Sequence, residues 1–124
     1  MHKAIQAFLA GPERNSWVKI PGLRIYLRKA THLIRTEGEP VMIQCIDLAS
    51  LEATKPGKGA FTRFLVDFED YVDTLYREKA IYIENVMSDR FASFFERRAG
   101  YIACNAPDRC FLRKASLNTP NKQL

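Results

Sequence analysis

Long hydrophobic runs are missing from this chain: no stretch reaches the roughly 18 apolar residues of a membrane-crossing helix. The apolar start from Met1 to Ala10 breaks off at Gly11-Pro12-Glu13-Arg14, too short and too interrupted for a secretory leader. Cysteine is scarce and odd in number, with Cys45, Cys104 and Cys110 only. Without a leader, three cysteines point to a reducing cytoplasm. Cys104 and Cys110 could face each other across a hairpin, but that compartment weighs against a disulfide between them. The two histidines, His2 and His32, have no partners at metal-ligand or triad spacing, so no metal site is expected and His32 reads as a strand-surface residue. Internal repeats and low-complexity tracts are absent, and with only 6 glycines and 6 prolines the chain is neither fibrous nor disordered.

What is present is 47% hydrophobic and 27% charged residues, an ordinary globular balance over 124 residues. That is room for one domain, placed at residues 1–116, with 117–124 as a polar, frayed tail. The net charge of +5 implies an anionic partner without choosing among nucleotide cofactor, nucleic acid and acidic protein.

Periodicity sets the order of elements. Ile5 to Leu9 can form a short helix ended by Gly11-Pro12. Leu23, Ile25 and Leu27 alternate with Arg24, Tyr26 and Arg28, a strand extending to Ile34. Turn residues from Thr36 to Pro40 return the chain as an antiparallel strand, Val41 to Leu51, apolar on both parities like a strand covered on both faces. Phe61, Phe64, Leu65, Phe68, Val72 and Leu75 then recur at helical steps. Ala80 to Val86 is a β-rich run. Ser88 fits a helix N-cap, with Asp89 in the first turn, Phe91, Phe94 and Phe95 as the apolar stripe, and Gly100 as the stop. Two strands, Tyr101–Cys104 and Arg109–Lys114, flank a turn at Asn105-Ala106-Pro107-Asp108. The expectation is helix, strand, strand, helix, strand, helix, strand, strand: an α/β domain with a mixed sheet and a right-handed crossover between parallel neighbours.

The segment Thr54-Lys55-Pro56-Gly57-Lys58-Gly59-Ala60-Phe61 links an apolar strand to the most regular helix. Glycines there let backbone N–H groups approach a ligand, and a helix start with unpaired N–H groups attracts anions. Lys55 and Lys58 add charge. The spacing excludes a P-loop, which needs GxxxxGK[ST], and the dinucleotide pattern GxGxxG, because Arg63-Phe64 stands where its last glycine belongs. An ordinary strand–helix connection is the plain alternative.

From about Val41 to Lys114 the chain resembles the GNAT-type N-acetyltransferase superfamily, short phage and prophage members included. The likeness lies in the glycine loop before a helix carrying Phe64-Leu65, then Ile81-Tyr82-Ile83-Glu84-Asn85-Val86, then Phe94-Phe95-Glu96-Arg97-Arg98-Ala99-Gly100-Tyr101. Against the family's [RQ]xxGx[GA] pattern, Pro56 stands for Arg/Gln, Gly59 for the first glycine and Phe61 for the second. An alternative register uses Thr54, Gly57 and Gly59. Phe95 replaces the family's tyrosine acid. The resemblance implies a GNAT-like mixed, mostly antiparallel sheet flanked by helices, with a parallel pair at an acyl-CoA cleft. It implies acetyl-CoA as cofactor, an amine of a protein or small molecule as acceptor, and compatibility with a homodimer. Leu51, Ala53, Lys55, Gly57, Lys58, Gly59, Ala60, Phe61 and Thr62 are the implied cofactor contacts, with Leu51 also offering its N–H to the acyl oxygen.

Acyl transfer needs a neutral amine, an aligned thioester and a stabilised oxyanion. A lysine amine, of pKa about 10.4, is almost wholly protonated at neutral pH, so a carboxylate helps. Asp47, Glu52 and Glu84 lie on the strands flanking the implied cleft. Glu52, beside the splay point, is the first choice as base, with Glu84 positioning the acceptor. Each has a bland reading as a solvated strand-end charge. Tyr82 or Cys104 could stand in for the missing acid, although both read better as core. A competing function is nucleic-acid binding: from Arg14 to Arg35 there are six basic residues and no acidic one, with Arg24, Tyr26 and Arg28 on one strand face. A solvated edge strand would explain the same residues. A third reading keeps the GNAT fold as a non-catalytic binding or inhibitor protein.

Overall fold

Helical and alternating segments follow one another from the third residue onward. In a computed structural model that describes residues 1–35, 38–54, 57, 59–84, 86, 88–105 and 109–115, they become α1 (Lys3–Ala10), β1 (Asn15–Ile20), β2 (Leu23–Ile34), β3 (Val41–Ala53), α2 (Ala60–Leu75), β4 (Ala80–Ile83), α3 (Asp89–Arg97), β5 (Tyr101–Asn105) and β6 (Arg109–Arg113). The expected tail, 117–124, and most of the expected turn before Arg109 lie outside the described residues. The strands form one sheet in the order β1-β2-β3-β4-β6-β5. Only β3 and β4 are parallel, with α2 as their crossover; the other pairs are antiparallel. The α/β class and the single parallel pair are as expected.

One strand was missed. β1 pairs with β2 through the tight turn Pro21-Gly22, where Ile20 faces Leu23 and Gly22 sits at φ 84°. Pro–Gly suits a type II turn, whose second central residue needs positive φ. With only Val18 of β1 buried, the period-2 signal is weak. β1 also makes β2 an interior strand, so the edge reading of its basic residues does not hold. Gly22 has a second constraint: a Cβ there would stand 2.9 Å from Ala60 Cβ, so the turn rests against the head of α2.

The helices supply the main core. Ile5 and Phe8 of α1, Phe64, Leu65, Phe68 and Val72 of α2, and Ala92 and Phe95 of α3 pack against Leu23, Ile25, Leu27, Ile46, Leu48, Ile81, Ile83 and Phe111 of the sheet. Leu75, expected on the same stripe, is instead exposed. Two of the helices carry side-chain caps: His2 Nδ1 accepts from the Ala4 N–H at 3.1 Å, and Ser88 Oγ accepts from the Phe91 N–H at 3.2 Å.

A second, smaller cluster joins Ile34 and Cys45 of the β2–β3 hairpin to Ala80, Tyr82, Cys104, Cys110 and Leu112 on the other strands. Ile34 lies near the hairpin tip, opposite Val41, yet packs with residues of β4, β5 and β6. The long hairpin therefore curls over the sheet, and its distal half does on this side what helices do on the other. Cys104 and Cys110 face each other directly, Cα–Cα 5.1 Å, and form a disulfide. The expectation of free thiols is corrected here. A two-strand hairpin register, which composition does not encode, brings the pair together. Cys45 remains a buried free thiol. No helix of the described residues is long and apolar enough to cross a membrane.

Candidate functional site

β3 and β4 stay in register from Cys45↔Ala80 to Leu48↔Ile83, after which β4 ends and β3 runs on to Ala53. At that point β3 also carries an extra residue against β2: Tyr26 faces Ser50 and Leu27 faces Leu48, leaving Ala49 unpaired. A bulge bends the strand locally and re-aims the residues beyond it. The result is a cavity of about 250 Å³ bordered by Leu48, Ala49, Ser50, Leu51, Ile83 and Glu84 from the strands, and Phe61 and Phe91 from the helices.

Leu51, Phe61 and Phe91 also line a neighbouring cavity of about 550 Å³, reached past Ala53, Gly57 and Thr62 and walled by Arg90, Phe94 and Arg97 of α3. A hollow of about 110 Å³ lies at the head of α2, between Gly57, Gly59, Ala60 and Thr62. Together they make a groove from the parting strands to the start of α2. Gly59 takes the N-cap position at φ 71°, ψ 13°, a left-handed geometry, and no side chain caps the first turn. No acidic residue stands in that turn either, so the helix start keeps its donors and its positive dipole end for an anion.

No family model and no curated protein matches the chain. Of the sequence-derived positions, Leu51, Ala53, Gly57, Gly59, Ala60, Phe61 and Thr62 border the groove or its hollow. Lys55, Pro56 and Lys58 lie outside the described residues. The two carboxylates separate. Glu84 lines the smaller cavity and is held by Arg28, whose Nη2 and Nη1 donate to it at 2.7 and 3.4 Å. Glu52 does not border the groove; it is exposed and pairs with Arg24 at 3.2 Å, its direct cross-strand neighbour.

The groove's α3 wall was not foreseen. Arg90, Phe94 and Arg97 recur at four- and three-residue steps, one helix face, and that interval was the available signal. The apolar stripe drew attention instead. Phe95 itself is fully buried among Phe61, Phe91, Phe94, Tyr101 and Phe111. A hydroxyl at that position would enter a packed aromatic cluster. Phe95→Tyr is expected to cost about 1–3 kcal/mol in chemical denaturation and to add no acyl-transfer activity. Unchanged stability with faster turnover would place Phe95 at the reacting thiol after all.

The basic strand face is neutralised pairwise. Arg24 stacks over Trp17 at 3.9 Å and meets Glu52, and Arg28 meets Glu84. Little uncompensated charge is left there to track a phosphate backbone.

Under the curled hairpin lies a group that sequence spacing hid. Asp47, fully buried, accepts from His32 Nε2 at 2.8 and 3.0 Å, and the His32 ring stacks on Tyr82 with centroids 3.9 Å apart. His32 is thus half-buried and partnered rather than a free surface residue. Thirty-two and forty-seven are distant in sequence, and the antiparallel pairing of β2 with β3 sets them on one face of adjacent strands. Burial pushes the Asp47 carboxyl up to about 6, against the lowering pull of His32 and Arg28 and with Glu84 raising it further. A carboxyl whose folded pKa lies above its unfolded value binds its proton more tightly when folded. Its stabilising share is present below the unfolded value, near 3.8, and is lost as pH rises through about 6. Asp47→Asn should flatten the stability profile between those limits in chelator-treated protein. An unchanged slope would mean that Asp47 titrates as an ordinary carboxylate.

Proposed function

We propose that this chain is an acetyl-CoA-dependent N-acyltransferase with a GNAT-like cleft, acting on an amine of a protein or small molecule. The observation that carries the reading is the parting of the parallel pair beyond Leu48 and Ile83, opening onto the uncapped head of α2. A pyrophosphate would sit on the N–H groups around Gly59 and Ala60, with Arg90 and Arg97 on the facing wall. The pantetheine arm would follow the apolar floor of Leu51, Phe61 and Phe91 to the gap between the strands.

There a neutral amine would attack the thioester carbonyl carbon, with the Leu51 N–H placed to receive the oxyanion; as the C–S bond breaks, the nitrogen would give up its extra proton to water. The leaving thiolate, like a cysteine thiol of pKa about 8.5, departs without obligatory acid help. Glu84 is the carboxylate at the gap. Held by Arg28, it suits orienting an ammonium, which gives up its proton to water before attack. Glu52, turned out of the groove, has no contact with this path.

Acetyl-CoA is expected to raise the melting temperature because it binds only the folded groove. At one hundred times Kd the gain is about 2.7 kcal/mol. No shift at millimolar acetyl-CoA overturns the reading. Binding without turnover on any amine leaves a CoA-binding module that does no chemistry.

A further inference from the structure

The donor atoms of His32, Cys45 and Asp47 all lie within 4.8 Å of one another beneath the curled β2–β3 hairpin. From this convergence we infer that the three residues form a zinc-class metal site, separate from the acyl-CoA groove. Nitrogen, sulfur and oxygen donors of this kind select a borderline transition metal and disfavour magnesium or calcium, which take oxygen. Four-coordinate zinc holds its ligand atoms about 3.3–3.8 Å apart, given bonds of roughly 2.0–2.3 Å. The His32–Asp47 separations of 2.8 and 3.0 Å open slightly to reach that range, and the widest donor pair closes by about 1 Å.

The surroundings are already organised for this. Tyr82 fixes the imidazole plane by stacking, and Nε2 is the nitrogen that faces Asp47. Burial and the charge of Asp47 push the Cys45 thiol up to about 12, with the His32 backbone and Lys79 pulling it down, so the charge of the metal itself has to draw off the thiol proton. The Cys45 thiol now donates to the Ile43 carbonyl at 3.4 Å. On binding, that S–H bond breaks, the sulfur lone pair goes to the metal and the proton to water. A thiolate, a carboxylate and a neutral imidazole then balance one dication, leaving no net charge under the hairpin. His32 keeps about a fifth of its side chain exposed, which gives an ion a way in and a water a fourth position. Because the ligands come from both arms of the hairpin, the metal would tie its curled half to the strand just before the cleft opens.

The test uses chelator-stripped full chain with the Cys104–Cys110 disulfide intact, so that Cys45 is the free thiol. One equivalent of Co(II) is expected to give ligand-field bands in the visible and a thiolate-to-cobalt band in the near ultraviolet, both abolished by equimolar Zn(II). Zn(II) alone should raise the melting temperature. Cys45→Ser should remove the near-ultraviolet band, His32→Gln and Asp47→Asn should each weaken Co(II) binding at least tenfold, and His2→Gln should change nothing. The wild-type spectrum decides even if a variant fails to fold: no bands at one equivalent overturns the site. So does a thiolate band that survives Cys45→Ser, or binding that disappears with His2→Gln.

Discussion

Gly59→Asn should abolish acetyl-CoA binding while leaving the fold nearly as stable as the parent. Gly59 sits at φ 71°, where most side chains cost about 1–2 kcal/mol and asparagine costs less. Gly59→Val, by contrast, combines the lost ligand with the backbone penalty. The two variants therefore share a binding defect and differ in stability. Among the described residues a Cβ at Gly59 meets only the flexible end of Arg63, at 3.2 Å, which can move aside. The space it would take is the ligand's: the hollow at the head of α2, where pyrophosphate oxygens would meet the N–H groups. Calorimetry with CoA should show at least a hundredfold loss for both. If Gly59→Asn binds CoA normally, the loop is a connection between β3 and α2 and nothing more.

How much of the molecule was legible in its sequence depended on how local the cause was. α2 announced itself because its buried residues are all helix-periodic, and Ser88 marked the start of α3 by the chemistry of its own hydroxyl. The crossover from β3 to β4 was readable because a strand, a glycine loop, a helix and a strand leave few ways to connect. The curl of the β2–β3 hairpin was not readable. Strand alternation says which face a residue takes but not how far a twelve- or thirteen-residue strand bends along its length. So His32, Asp47 and Tyr82 looked like three unrelated positions, and Cys104 and Cys110 looked like thiols. The different placement of Glu52 and Glu84 was hidden for a similar reason. Proximity in sequence to Leu51 favoured Glu52, but consecutive strand residues point to opposite faces, and the cross-strand partner Arg24 claims that carboxylate.

Glu69→Ala should destabilise the protein by about 2–3 kcal/mol, the cost of breaking a part-buried charge cluster by removing one member. Its carboxylate accepts from Arg98 Nε and Nη2, both at 2.8 Å, and from the Tyr101 hydroxyl at 2.7 Å, with Arg113 Nε a further 3.9 Å away. Asp73, one turn on along α2, takes Arg113 at 2.8 and 2.9 Å. Without Glu69, Arg98 loses its only carboxylate among these partners, and a half-buried phenol loses its acceptor. Burial and the neighbouring Glu69 both hold the Tyr101 phenol far above its ordinary pKa, so it remains a donor at every working pH. Urea denaturation should show the midpoint falling with the slope unchanged, the pattern of lost stability rather than a changed unfolded state. A loss under about 1 kcal/mol would class the cluster with solvated surface pairs. The cluster also joins the two sides of the proposed groove: α2 begins at the anion hollow, and Arg98 closes the helix that supplies Arg90 and Arg97. Weaker CoA binding should therefore accompany the lost stability in Glu69→Ala, whereas Gly59→Asn loses binding alone.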